Sequence, residues 1–278
     1  MSRSMNDCKV LVEGKTKILT TYPSNEQLTI VYSKDDITAG DGKKHDILTG
    51  KGQLANQTTC SVFEYLKTCG VPLAYISQHG HNSFIAKRCK MLPYEVVERR
   101  VALGSYLERN PDVGAGEVFD DIIVEFFLKT TGGMWRGRNL DLNDPYIVHD
   151  ERTKCILVYH AHRPPKIPRT SINVRNDTML QDDWRHFANM RKIARQVFLH
   201  LEEAWKSIGC MLIDMKIEFG IDVDGNLVVA DVIDNDSWRV FRDGKHLDKQ
   251  LYRGDSPLAD VLASYKEVAR LTNKFRSL

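Results

Sequence analysis

Hydrophobic positions change period along this chain. Between residues 9 and 48 they come in short β-type runs, Val10-Leu-Val12, Ile18-Leu-Thr-Thr-Tyr22 and Leu28-Thr-Ile-Val-Tyr32, separated by turns rich in Gly and Asp. Such runs bounded by turn residues predict an antiparallel β start. Over residues 52–69 the period becomes helical: Leu54, Thr58, Val62, Phe63 and Leu66 share one face, and Gly70 with Pro72 gives a stop. Strand-like pattern resumes from Leu73 to Ile85. Residues 1–92 therefore read as a small, mostly β lobe carrying a helix, and residues 93–278 as a larger α+β lobe.

In the second half, Trp184, Phe187, Ala194, Val197, Phe198, Leu201 and Trp205 trace a long amphipathic helix from Trp184 to Ile208. It is expected to be capped by Asp182 or Asp183 and ended by Gly209. A last helix is expected to start at Ser256-Pro257 and to bury Leu258, Val261, Leu262, Tyr265, Val268 and Leu271. Both helices read as scaffold. Residues 129–178, with Gly132-Gly133, Pro145, Pro164-Pro165 and Pro168, read as a long loop or insertion. No internal repeat is evident.

Two further apolar segments, Ile213–Gly220 and Leu227–Asp234, flank Asp224-Gly225, a dipeptide that favours a two-residue type I′ hairpin turn. With those two residues as the turn, Glu218 pairs with Asp231, and like charges so opposed need a cation between them. Strand alternation puts Asp214, Lys216 and Glu218 on one face and Met215, Ile217 and Phe219 on the other. Two hard carboxylate donors suit Mg²⁺, which completes its shell with water and substrate phosphate. The alternative is a solvated acidic edge hairpin.

Composition narrows the function. The 278 residues are 42% hydrophobic with a net charge of +2, and no basic stripe with interleaved aromatics is present, so no nucleic-acid partner is expected. No apolar run is long enough to span a membrane and Met1–Asp7 has no apolar signal segment, so a cytoplasmic location is expected. The six cysteines are scattered, which indicates neither a disulfide framework nor a zinc site. His79 and His81, and His160 and His162, lack a third ligand at zinc spacing and are given no role.

Glu13-Gly-Lys-Thr-Lys17 lies between two β runs. It is not a Walker A loop, because Lys9 stands where the first glycine belongs and strand rather than helix follows. A glycine turn with flanking lysines is closer to the loop that covers nucleotide phosphates in kinase-like folds, although a plain hairpin with surface lysines has the same pattern. Asp35–Lys44 combines small residues, acids and lysines, as suits either a charged ligand or a solvated loop. Asp214, Glu218 and Asp231 follow the order of catalytic and metal-binding side chains beneath ATP in protein kinases, by role only. Arg99-Arg100-Val-Ala-Leu-Gly-Ser105 offers guanidinium groups beside a Gly-Ser turn, a clamp for phosphomonoester or carboxylate, and Asp236-Ser-Trp-Arg239 adds another Arg.

These segments, in this order, resemble the SAICAR synthetase (phosphoribosylaminoimidazole-succinocarboxamide synthase) family of purine biosynthesis. The resemblance covers nearly the whole chain and rests on EGKTK (13–17), DITAGDGKK, ERRVALGSYLERNP (98–111), IDMKIEFG (213–220), VVADVIDNDSWR (228–239) and DKQLYR (248–253). VIDNDSWR with DKQ is most similar to the animal form, in which this domain is fused to a carboxylase; the chain is then either a monofunctional version or an excised domain. The resemblance implies a two-lobed α+β fold, kinase- and ATP-grasp-like, with nucleotide in the cleft. It implies an ATP- and Mg²⁺-dependent ligase that joins the carboxylate of 5-amino-4-carboxyimidazole ribonucleotide to the amine of L-aspartate, acting on small molecules alone as a homo-oligomer. A small-molecule kinase and a non-catalytic nucleotide-binding module are the alternatives.

The resemblance also implies residue roles. Gly14, Lys15 and Lys17 would hold ATP phosphates, and Lys87 to Met91 would pass the adenine. Glu218 and Asp231 would hold Mg²⁺. Arg99, Ser105 and Arg239 would grip the ribonucleotide, while Asp214 and Lys216 would orient the reacting carboxylate or amine, with Asp214 as a candidate general base. Lys129, Asp144, Asp236 and Lys249 are further substrate-binding candidates. One departure stands out: after Phe126-Phe-Leu-Lys129 the family reaches an Asp-Pro motif within a few residues, whereas here Gly132–Arg138 intervenes before Asn143-Asp-Pro145. Glu151–Arg175 is also longer than the family pattern.

Overall fold

A computed structural model describes residues 8–40 and 42–278. The chain divides into two units, one made of Met1–Lys90, His200–Leu212 and Gly220–Leu278, the other of Met91–Leu199 and Ile213–Phe219. The first break falls two residues before the expected one, and the first unit also takes in C-terminal segments. Contiguous pattern reading misses this because the partners of N-terminal elements come from far along the chain.

In the first unit the N-terminal runs form β1 (Val10–Glu13), β2 (Lys17–Tyr22) and β3 (Asn25–Ser33). With β6 (Tyr75–Gly80) and β7 (Ser83–Lys87) they make an antiparallel sheet of order β1-β2-β3-β7-β6. A separate hairpin pairs β4 (Asp36–Ala39) with β5 (Lys44–Ile47). Asp41, part of the acidic glycine-rich stretch, lies outside the described residues. Helix α1 (Lys51–Thr68) starts one residue earlier than its pattern suggested. Val62, Phe63 and Leu66 are fully buried on it. Its end is a Schellman turn: Gly70 has φ +74°, its N–H donates to Lys67 O, and the Val71 N–H donates to Leu66 O.

The same unit contains β16 (Leu227–Ala230), the hairpin of β17 (Trp238–Arg242) and β18 (Lys245–His246), α4 (Gln250–Arg253) and α5 (Leu258–Thr272). Helix α5 packs on α1, and Ile37, Leu48, Ala55, Tyr252, Val261 and Tyr265 form a core cluster. The expected Ser256 cap is absent: Pro257 holds the N-cap position and no side chain caps the helix. Val261, Tyr265, Val268 and Leu271 are buried as expected, whereas Leu258 is exposed. Trp205, Trp238 and Phe275 stack edge-to-face beside them.

In the second unit, β8 (Lys90–Val101), β9 (Val118–Leu128), β12 (Tyr146–Asp150), β13 (Cys155–Tyr159), β14 (Thr170–Asn173) and β15 (Met211–Ile221) form a sheet of order β14-β13-β12-β9-β8-β15. A short helix α2 (Ser105–Arg109) follows β8, and β10 (Met134–Trp135) pairs with β11 (Arg138–Asn139). The expected long loop over 129–178 instead carries five short strands, β10 to β14, joined by turns. Its Gly and Pro residues punctuate short alternating runs in which Ile147, Ile156, Val158 and Ile172 are buried.

Helix α3 (Thr178–Ser207) begins six residues before Trp184. Asp177, not Asp182 or Asp183, caps it, with Oδ1 accepting the Leu180 N–H, and fully buried Leu180 carries the apolar period upstream. Its end matches expectation, with Gly209 at φ +74° in a second Schellman turn. Phe187 on α3 packs on Tyr94, Phe126 and His149.

The hairpin after β15 differs from the type I′ reading. Asp222 N–H donates to Asn226 O, and Gly225 N–H donates to Asp222 O. The turn therefore has three residues, with Gly225 at φ +81° in the third position. A three-residue turn shifts the register by one residue from the two-residue reading on which the expected Glu218–Asp231 pairing rested. Asp231 lies past the end of β16 with φ +66°, so strand alternation no longer sets its direction. Among the described residues, no helix is long and apolar enough to cross a membrane.

Candidate active site

In the first unit the turn between β1 and β2 closes through Gly14 N–H to Lys17 O, 2.8 Å. The Lys17 ammonium donates to the Asp231 carboxylate. The left-handed turn at Asp231 is what brings that carboxylate off the strand line. Lys15 approaches the acidic glycine loop, since a Cβ built on Gly42 would stand 3.6 Å from its Nζ. Asp35 of that stretch has a structural use: its two oxygens accept the Gly50 and Gly52 N–H groups at the start of α1.

Lys87 donates to Asp222 Oδ2 at 2.7 Å, and Asp222 also accepts the Asp224 and Asn226 N–H groups. Burial pushes the Asp222 carboxyl up, but the Lys87 and Asn226 hydrogen bonds outweigh it and hold the pKa at about 2. Asp236 accepts from Lys249 Nζ at 2.8 Å and from the Tyr265 hydroxyl at 2.6 Å. Its neighbour Asp234 is buried and accepts the Asp236 N–H. Burial raises both carboxyls, yet the Lys51 and Lys249 charges bring Asp236 down to about 2, while burial and repulsion from Asp236 keep Asp234 raised. Arg239 is half-buried on β17.

In the second unit, β15 presents Asp214, Lys216 and Glu218 in alternation, and each meets an opposite charge. Arg99 NH1 donates to Asp214 Oδ2 at 2.8 Å, Lys216 donates to Glu95, and Lys129 donates to Glu218. Arg99 Nε donates to Glu125 Oε2 at 2.7 Å, and its NH2 stands 3.5 Å from Ser105 Oγ. Arg109 NH2 donates to the other Glu125 oxygen at 2.6 Å. Met91 is exposed. Asp144, with φ +39°, accepts the Thr130 N–H and thereby closes the 130–144 loop, a structural use for a residue the family pattern offered as a substrate ligand. Beside Arg99, Glu98 is fully buried and neither of its oxygens has a hydrogen-bond partner. Burial raises its carboxyl well above the usual range, and Asp214 adds to the effect.

The donor chemistry fits a hard divalent cation. Among the described residues no group of three or more His, Cys, Asp or Glu could hold a metal. The Glu218 carboxylate pairs with the Lys129 ammonium and the Asp231 carboxylate with that of Lys17, hard oxygen donors of the kind Mg²⁺ takes. Sequence reading missed Glu95, Arg109, Glu125, Asp222 and Lys51. The available signal was an isolated charge in an apolar run, as at Glu125 in Ile-Ile-Val-Glu-Phe-Phe-Leu128, because a buried charge requires a partner.

The family model for SAICAR synthetase matches residues 10–155 and 165–271. The phosphoribosylaminoimidazole-succinocarboxamide synthase of Chloroflexus aurantiacus is 39% identical over 274 residues, 96% of each chain. The bifunctional phosphoribosylaminoimidazole carboxylase/phosphoribosylaminoimidazole succinocarboxamide synthetase of Drosophila melanogaster is 39% identical over 259 residues, 92% of this chain and 53% of that one. Among solved structures, phosphoribosylaminoimidazole-succinocarboxamide synthase from Ehrlichia chaffeensis aligns with a TM-score of 0.75 at 27% identity, covering 95% of this chain and 98% of that one. A SAICAR synthetase solved in complex with ADP aligns with a TM-score of 0.73 at 29% identity, covering 95% and 97%.

Proposed function

The chain belongs to the SAICAR synthetase family, and from that premise we propose how its own residues divide the reaction. It is an ATP-dependent ligase of purine biosynthesis that joins the carboxylate of 5-amino-4-carboxyimidazole ribonucleotide to the amine of L-aspartate. A carboxylate is a poor electrophile. Transfer of the γ-phosphoryl group to one of its oxygens gives an acyl phosphate, which the amine attacks at carbon as phosphate leaves.

Lys15 and Lys17, with the Gly14 turn, hold the nucleotide phosphates, and Lys87 to Met91 carries the adenine. Glu218 and Asp231 are offered to Mg²⁺, which when bound neutralises charge on the transferring phosphate. Arg99 with Ser105, and Arg239, grip the ribonucleotide. Asp214 and Lys216 orient the reacting carboxylate and amine, with Asp214, held by Arg99, as the candidate general base toward the attacking amine. Lys129, Asp236 and Lys249 complete the substrate contacts, and Asp144 acts through the loop it closes. Cytoplasmic location and homo-oligomeric assembly belong to the same proposal.

The observation that carries this reading is the pairing of each carboxylate offered to the metal with a lysine offered to phosphate or substrate: Asp231 with Lys17 and Glu218 with Lys129. In each pair a bound cation and its phosphates would take the lysine's place. A coupled assay tests it. ADP release must require both the ribonucleotide and L-aspartate, whereas ADP release without L-aspartate that yields a stable phosphorylated product makes the protein a small-molecule kinase instead.

A further inference from the structure

We propose that Glu125 is a positioning residue for the imidazole ribonucleotide, acting through Arg99, and that Arg109 and the segment around Ala161 hold it in that role. The inference rests on the reading of Arg99 and Ser105 as the ribonucleotide grip. A guanidinium recognises an anion through a rigid planar fork, so its value depends on which way the plane faces. The Arg99 plane is set from two sides, by Glu125 Oε2 on Nε at 2.7 Å and Asp214 Oδ2 on NH1 at 2.8 Å. That leaves NH2 beside Ser105 Oγ, 3.5 Å away, as the edge directed at substrate.

Glu125 does not reach Arg99 as a loose surface acid. It is buried on β9, and its second oxygen is taken by Arg109 NH2 at 2.6 Å. Arg109 is itself immobilised: its guanidinium lies 5.0 Å from the Phe127 ring centre and 5.1 Å from that of Tyr146, and its NH1 donates to Ala161 O at 2.5 Å. Both carboxylate oxygens are therefore fixed, and with them the Arg99 fork. Ala161 lies between the two stretches matched by the family model. The brace thus ends on a segment outside the family pattern, which gives the longer Glu151–Arg175 stretch a purpose.

Glu125→Gln tests the proposal with the full chain under steady-state conditions. The amide keeps one acceptor oxygen but turns its NH₂ toward a guanidinium, donor against donor. KM for the ribonucleotide is expected to rise about tenfold or more, within the roughly hundredfold that an ångström-scale misplacement can cause, while KM for ATP and for L-aspartate stays within about twofold. Arg109→Met combined with Glu125→Gln removes the clash and lets the glutamine oxygen accept Arg99 Nε, so most of the ribonucleotide KM should return. An unchanged KM in Glu125→Gln, an equal rise for all three substrates, or no recovery in the double variant overturns the proposal. Should Glu125→Gln fail to fold, Glu125→Asp keeps the charge and shortens the reach, and KM must still rise for the ribonucleotide alone; an unchanged value overturns the proposal there too. Arg99→Lys run alongside separates the two levels. If it leaves the ribonucleotide KM unmoved, the reading of the grip fails; if it raises KM and the Glu125 variants do not, only the positioning role fails.

Discussion

Acidification should destabilise the second unit through one buried ring, His149. It lies 3.5 Å, centre to centre, from Phe187, with Phe126 at 5.1 Å and Trp184 at 5.5 Å edge-on, and its Nε2 is buried without a hydrogen bond. Burial, helped by the Arg191 charge, presses its pKa from 6.5 down to about 3. The folded protein thus keeps the ring neutral while the unfolded chain takes up a proton below about pH 6.5. Between those two values the unfolded state binds more protons, so stability rises with pH and is lost as pH falls. Going from pH 6.5 to pH 5.0 should remove roughly 1.6 kcal/mol through this group alone. His149→Phe removes the titration and keeps an aromatic ring; any packing cost it carries is independent of pH. Urea unfolding followed by tryptophan fluorescence, which Trp184 reports from within the cluster, should show wild type losing about 1.6 kcal/mol more than the variant over that interval. Equal losses in the two proteins would refute the buried neutral histidine.

Asp231→Asn should lower activity about a hundredfold or more, matching several kcal/mol of lost charge stabilisation, while thermal stability stays close to wild type. Asn tolerates the left-handed backbone at this position, where φ is +66°; an unfolded variant, or a fully active one, would count against the metal role. Glu98→Gln should act on stability with the opposite pH sense to His149. Its raised folded pKa means that the folded state keeps a proton which the unfolded chain releases above about pH 4.5, so stability present below that pH is lost as pH rises. The variant should outperform wild type in urea at pH 8 by more than it does at pH 5, and a gain independent of pH would contradict a buried neutral carboxyl.

Local signals in the sequence were reliable where one element decided its own shape. The N-terminal β runs, the face of α1 and the glycine stops at Gly70 and Gly209 all follow from short-range sterics and periodicity. The hairpin at 222–226 did not, because Asp-Gly serves both a two-residue turn and a three-residue turn ending in Gly225. The choice falls to the Asp222 side chain, which binds the Asp224 and Asn226 N–H groups and braces against Lys87. The start of α3 was hidden because its cap, Asp177, is also tied to distant Arg138. Within residues 129–178 the strands were hidden because proline and glycine outweigh runs of two to five residues in any local window.

The site shows the same division. Asp214, Lys216 and Glu218, which strand periodicity set on one face, do lie in alternation on one strand. Their partners Arg99, Glu95 and Lys129 come from segments about ninety or more residues away in sequence, a pairing set by strand order that only the folded sheet reveals. The first unit interleaves chain segments for the same reason, since β16 pairs its Val229 with Leu73.

By the proposed mechanism this chain activates a carboxylate by phosphorylating it. Ribonucleotide carrying ¹⁸O in its carboxylate, turned over with ATP and L-aspartate, tests that directly by mass spectrometry of the inorganic phosphate released. An acyl phosphate leaves with the bridging oxygen of the carboxylate, so each phosphate should carry one ¹⁸O atom per fully labelled carboxylate consumed. Unlabelled phosphate formed in step with product would rule out the acyl phosphate.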